Sequence, residues 1–325
     1  MTTLHPSDAS VPEDFPALNQ AVSQALPQEA PLAVAKKPSA ERVLMGFAVA
    51  GIAVLGMALG GWYLAVLVAF VMCAGFLEFA RMMRGYGLRP SHMAFFTAVP
   101  ILVVLAMKSK LTLFFPVLIL GSTLAFFQWL FRRPNAKLAD LSLTLLTLIY
   151  LGFLPAHLIL LRNIGYPLEA HLPFWQQQGF AYLFLMVVMV SFSDIGAYYV
   201  GKRFGKALLY PEISPKKTRE GTLGGLAVAV LVTVLTSWWL KFPLHHALLL
   251  CVLMVITGGL GDLVESKIKR ESGVKDSGSL LAGHGGVLDR MDSYLFSGAV
   301  AYYYIHWVVL QEGLAEKVVR LFSFL

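Results

Sequence analysis

A chain of 325 residues that is 57% apolar and only 14% charged is not an ordinary soluble domain, in which roughly a quarter of the residues carry charge. Its apolar runs of about 20 residues read as membrane helices and lack the alternation of a β-barrel strand. The net charge of +7 is accounted for by where the basic residues fall along such helices, so it gives no reason to invoke nucleic acid. Cys73 and Cys251 both sit inside apolar runs and make no disulfide framework.

Residues 1–40 are polar and rich in Pro, Ala and Gln. They read as a disordered tail and not as a signal peptide, because an uncharged start is followed by no apolar core. Residues 41–325 then form the membrane domain, predicted to be all-α and polytopic, with its catalytic part at about 190–293. Nine spans are predicted, at about 43–59, 62–80, 93–107, 111–131, 141–161, 179–200, 223–240, 245–264 and 294–310. The first two are separated only by Gly60 and Gly61. One helix across both would far exceed the roughly 30 Å of the hydrocarbon core.

With nine spans, 20 of the 26 Lys and Arg residues fall on one face. They include Arg81, Arg84, Arg89, Lys202, Arg203, Lys206, Lys216, Lys217 and the cluster from Lys267 to Arg290. The positive-inside rule places that face, and the N-terminus with it, in the cytoplasm. The acidic residues follow a narrower pattern. Of eight Asp residues, Asp194, Asp262, Asp276, Asp289 and Asp292 lie at the cytoplasmic ends of the last four spans or in the loop between. The positive-inside rule gives no reason for that, since acidic residues contribute little to it.

The densest polar stretch is Gly261–Ser293. On a helix Asp262, Glu265, Ser266 and Lys269 share one face, and Asp289 and Asp292 share another. Carboxylates from two helices suit Mg²⁺, which takes oxygen ligands and leaves positions for phosphates and water. Simpler roles stand beside this one: Asp292 as the N-cap of the last span, and Glu265 with Lys269 as a surface i, i+4 pair. Gly283, His284, Gly285 and Gly286 make a turn where backbone can approach a ligand closely, with His284 as structure or as participant. Upstream, Asp194 lies inside a span in SFSDIGAYYVGKRFGK, either functional by its position or neutralised by a basic neighbour. Ser214, Lys216, Lys217 and Thr218, ahead of a helix N-terminus, form an anion site by local physics. The order of glycines and Lys is not that of a Walker A loop. Glu78, inside the second span, is expected to pair with Arg81.

These motifs carry a resemblance. Ser266-x-Ile268-Lys269-Arg270, Lys275-Asp276-x-Gly278 and His284-Gly285-Gly286-x-x-Asp289-Arg290-x-Asp292 together resemble the C-terminal motif of the phosphatidate cytidylyltransferases, or CDP-diacylglycerol synthases. Ser214-Pro215-Lys216-Lys217-Thr218-x-Glu220-Gly221, Asp194 with Gly201 and Gly205, and Gly261-Asp262 extend the match, over roughly residues 43–310. Ala282 stands where the family usually has Pro, and Arg219 where an apolar or aromatic residue is common. The resemblance implies transfer of CMP from CTP to phosphatidate, with Mg²⁺ as cofactor, room for a second cation beside it, and a place in a bacterial inner membrane as monomer or homodimer. It implies Asp262, Asp289, Asp276 and Asp194 as metal ligands and Lys269, Arg270, Lys275, His284 and Arg290 as catalytic groups. Ser214, Lys216, Lys217, Thr218, Ser266, Gly285 and Gly286 would bind substrate. Against related families, the chain has no Asp-Gly, with which the CDP-alcohol phosphotransferase motif begins, and no Asp-Asp of the polyprenyl-phosphate sugar-phosphate transferases. A transporter using intramembrane acids is the alternative from another class, but the chain shows none of the internal repeat common there.

Overall fold

The structure is a computed structural model that describes residues 40–132, 136–278 and 285–310. The predicted tail, Ala282, Gly283 and His284 lie outside the described residues. Among these residues the chain forms helical rods in series where the sequence expects spans. Helix α1 is Ala40–Leu59, α2 Gly61–Arg84, α3 His92–Met107 and α4 Phe114–Phe127. Helices α5 (Leu138–Thr147) and α6 (Leu154–Arg162) are joined through the π-helical stretch Leu148–Phe153 into one rod. Then come α7 (Gln178–Phe204), strands β1 (Leu208–Tyr210) and β2 (Ser214–Thr218), α8 (Arg219–Trp239), α9 (Leu244–Glu271) and α10 (Leu288–Tyr304).

Of the nine expected spans, six helical segments among the described residues are long and apolar enough to cross a membrane: 61–84, 111–131, 138–162, 178–204, 219–239 and 244–271. The chain is therefore an integral membrane protein. Helix α3, at 16 residues, spans about 24 Å at 1.5 Å per residue, short of the hydrocarbon core. Helix α10 opens with Asp289, Arg290 and Asp292, which keeps its first turn polar.

Packing follows the apolar spacing. In α2, Leu64, Val68, Met72, Phe76 and Phe79 recur at helical intervals and are all buried. Phe76 stacks on Phe95 of α3 with ring centroids 4.1 Å apart. Helix starts are fixed by short polar side chains. Ser91 accepts from the Ala94 N–H at 3.1 Å to begin α3, and Thr218 accepts from the Gly221 N–H at 3.1 Å to begin α8. Asp140 ties two segments by accepting from the Arg89 N–H at 2.6 Å and the Lys137 N–H at 2.9 Å.

Residues 208–218 depart from a purely helical fold. They form a short antiparallel hairpin with Leu208 opposite Thr218 and Tyr210 opposite Ser214. Pro211 and Pro215 do not suit a helix interior here, and Pro215 in a two-stranded ladder has an edge on which a missing N–H does no harm. The hairpin lies at the same end of the molecule as the C-terminal halves of α2, α7 and α9 and the start of α10. At the opposite end Arg162 closes the ends of α1 and α7, donating to the Met57 carbonyl at 2.7 Å and to Gln177 Oε1 at 2.9 Å.

Candidate active site

The site is built where α9 crosses α10. Gly261 makes the crossing close: a Cβ there would overlap the Asp292 carbonyl oxygen. With the two backbones in contact, side chains just beyond the crossing face one another. Carboxylate oxygens of Asp262, Glu265 and Asp292 all lie within 4.8 Å of one another. Asp292 thus sits one turn inside α10 and does not cap it. The residue before that helix is Val287, which gives no side-chain cap.

Lysines hold this cluster from two sides. Lys217 reaches across from β2, with Nζ 2.7 Å from Asp262 Oδ2, and Ser266 donates to Asp262 Oδ1 at 3.2 Å. Lys269 stands between two acids, 2.6 Å from Glu265 Oε2 and 2.6 Å from Asp289 Oδ1. The Glu265–Lys269 pair expected on the surface is therefore buried, because that face of α9 is covered by α10. Glu265 is 0% exposed. Its contact with Lys269 is an ion pair without hydrogen-bond alignment, and its other oxygen meets no donor among the described residues. Asp194 approaches from α7, hydrogen-bonded to Ser293 and within electrostatic reach of Asp262 and Lys217.

Asp289 has different surroundings. Beyond Lys269, its Oδ2 accepts from the Ser277 N–H at 3.0 Å, the Ser277 hydroxyl at 2.9 Å and the Gly286 N–H at 2.8 Å. It pins the segment before α10 to the segment after α9, and it stands outside the three-carboxylate cluster. Gly285, at a φ of +83°, takes the left-handed turn that lets this backbone fold onto Asp289.

Glu78 corrects its expectation. Among the described residues it does not pair with Arg81, whose side chain is exposed. Glu78 is 1% exposed and accepts from the Val287 N–H at 3.0 Å, the Leu288 N–H at 3.0 Å and the Ser277 hydroxyl at 3.2 Å. The unpaired N–H groups and positive end of a helix N-terminus suit a buried carboxylate. An acid deep in an apolar run is the signal that marks it; its partner, 209 residues away, is not readable from spacing.

The other predicted residues divide by exposure. Lys216, Arg270, Lys275, Asp276 and Arg290 are exposed around the cluster, Ser214 is half-buried in the hairpin, and Ser266 is buried. Thr218 is occupied as the α8 cap. Sequence reasoning gave Glu265 no ligand role.

Electrostatics tests whether a cation suits this place. Asp194, Asp262, Glu265, Asp289 and Asp292 crowd one region, with Lys217 and Lys269 in ion-pair contact with it. Carboxylates this crowded are costly to keep ionised beside hydrocarbon without countercharge. An oxygen-only donor set with an orphaned buried carboxylate oxygen fits a hard divalent cation.

Comparison with known proteins gives the family. The model of the cytidylyltransferase family matches residues 40–308. A phosphatidate cytidylyltransferase of Synechocystis is 39% identical over 282 residues, covering 78% of this chain and 94% of that protein. The chloroplastic phosphatidate cytidylyltransferase 5 of Arabidopsis thaliana is 35% identical over 291 residues, 82% of this chain and 71% of that one. The Bacillus subtilis phosphatidate cytidylyltransferase is 36% identical over 211 residues, 64% and 70% respectively.

Proposed function

The chain belongs to the cytidylyltransferase family, and from that premise we infer that it is a membrane enzyme of phospholipid synthesis that transfers CMP from CTP to phosphatidate. The products are CDP-diacylglycerol and pyrophosphate. The observation that carries the chemistry is the convergence of Asp262, Glu265 and Asp292 beside Lys217 and Lys269.

A phosphate oxygen of the lipid attacks the α-phosphorus of CTP. The new P–O bond forms as the bond to the β-phosphate oxygen breaks, and pyrophosphate leaves with the electron pair. The attacking oxygen is already anionic near neutral pH, so no strong general base is needed. The barrier lies in bringing two polyanions together and in the charge that grows on the leaving group. Asp262, Glu265 and Asp292, with Asp194 beside them, would hold Mg²⁺. When bound, the ion supplies Lewis-acid neutralisation of phosphate charge. Asp289 keeps Lys269 aligned and ties Ser277 to Gly286. Lys217 sits at the edge of the cluster on the hairpin, where it meets an incoming phosphate while still steadying Asp262. Lys216, Arg270, Lys275 and Arg290 form the exposed basic rim, His284 with Gly285 and Gly286 positions pyrophosphate or nucleotide, and Ser214 contributes a hydroxyl from the hairpin.

The proposed setting is a nine-span protein of a bacterial inner membrane with its N-terminus and this site in the cytoplasm, where CTP is made. The 20 basic residues on the site's face support that orientation, and relatives from Synechocystis and Bacillus support the membrane. The test of the reaction is direct. Purified protein given labelled CTP and phosphatidate should form labelled CDP-diacylglycerol and equimolar pyrophosphate. Absence of both products, with Mg²⁺ present, would overturn the reading.

A further inference from the structure

The reaction as described makes no use of Tyr150. This residue lies in the π-helical stretch Leu148–Phe153 that joins α5 to α6. Such stretches re-aim side chains and occur often at functional sites. Tyr150 is 3% exposed, yet its hydroxyl has no hydrogen-bond partner among the described residues. A buried phenol normally finds one, and leaving it unpaired is costly.

Its location is set by ring packing. The Tyr150 ring lies 5.8 Å from the ring of Phe296. Phe296 is four residues beyond Asp292, so the two share one face of α10. Tyr150 thus packs against α10 one turn along the helix from Asp292. The hydroxyl feels the charges of Glu265, Asp292 and Asp262. Carboxylates only accept hydrogen bonds when ionised, whereas a phenol O–H donates. Tyr150 therefore offers the wall of this anionic cluster a neutral donor. The hairpin and basic rim lie at the polar end, where nucleotide arrives. Tyr150 lies on the side of the cluster away from that rim, packed on Phe296, the side that faces the acyl chains below a lipid headgroup.

We propose that Tyr150 is a substrate-binding residue whose hydroxyl donates a hydrogen bond to the phosphate of phosphatidate and holds it against the Asp262–Glu265–Asp292 cluster. This rests on the CMP-transfer reading above.

Tyr150→Phe removes the hydroxyl and keeps the ring. With each substrate and Mg²⁺ varied in turn, KM for phosphatidate should rise about tenfold. KM for CTP and the half-saturating Mg²⁺ should stay as in the parent protein, and Tm should be unchanged or higher, since an unpaired buried O–H is gone. Unchanged kinetics, a shift in CTP or Mg²⁺ dependence in place of the lipid KM, or a lowered Tm accompanying the loss would each overturn the proposal. Binding of phosphatidate in detergent micelles, without CTP, separates the two readings. A parent protein that binds lipid but makes no CDP-diacylglycerol refutes the reaction. Equal lipid affinity of parent and Tyr150→Phe refutes the role of the hydroxyl.

Discussion

Asp289 and Asp292 lie three residues apart and face different duties. Asp292 joins Asp262 and Glu265 in a cluster with few donors, while Asp289 takes four donors from Lys269, Ser277 and Gly286. Asn keeps one acceptor oxygen and removes the charge, so it separates the roles. Asp292→Asn should lower kcat by about 100-fold or more, on the scale of lost transition-state charge stabilisation, and should raise the Mg²⁺ needed for residual turnover. Asp289→Asn should also lower kcat, but with the Mg²⁺ requirement unchanged and with faster proteolysis of the loop between α9 and α10. An increased Mg²⁺ requirement in Asp289→Asn would make Asp289 a ligand as well. Glu78 makes the same point about stability. Glu78→Gln retains an acceptor for one of the Val287 and Leu288 N–H groups and turns its amide N–H₂ toward the other, a donor against a donor, a loss of about 1–3 kcal/mol. Thermal unfolding in detergent should show it, and an unchanged Tm would remove Glu78 from the anchoring role. Asp262 and Asp292 stood out in the sequence because positive-inside statistics leave Asp unexplained. Glu265 did not, because its pairing with Lys269 accounted for it without a further role, and the place of Glu78 was misread because Arg81 is three residues away while its real partners lie 209 residues on.

At the scale of elements, the helices were legible from apolar length and period, and α7, α8 and α9 fall close to their expected bounds. Two features were not. The hairpin 208–218 is too short and too polar for a periodic signal, and the proline in β2 argues against a strand unless it lies at an edge. The π-helical stretch at 148–153 interrupts a run whose apolar pattern reads as continuous helix, since such distortions depend on packing against neighbours. The crossing of α9 and α10 depends on Gly261, whose lack of a Cβ allows contact with the Asp292 backbone. Gly261→Ala must push the helices apart, a small-to-large change in a tight contact costing about 1–3 kcal/mol. The carboxylates move with them, so activity should fall by about 100-fold even where the protein still purifies, given the sensitivity of catalysis to displacements of about 1 Å. Turnover within threefold of the parent would show that the crossing tolerates more space than its geometry implies.

For the whole molecule, the arrangement puts all charged machinery at one end, with Arg162 closing the other. Single cysteines at the exposed positions Lys275 and Lys241, in a chain lacking Cys73 and Cys251, should label from opposite sides of the membrane. Labelling from one side would break the nine-span orientation. The central claim is that Asp262, Glu265 and Asp292 together hold the cation on which CMP transfer depends. Its most direct test is the rate of CDP-diacylglycerol formation across a Mg²⁺ titration, with the parent protein beside Asp262→Asn. The expected result is activity that requires Mg²⁺ in the parent, with kcat lowered about 100-fold and half-saturating Mg²⁺ raised about tenfold in the variant. Near-normal kcat at unchanged Mg²⁺ in Asp262→Asn would contradict the account.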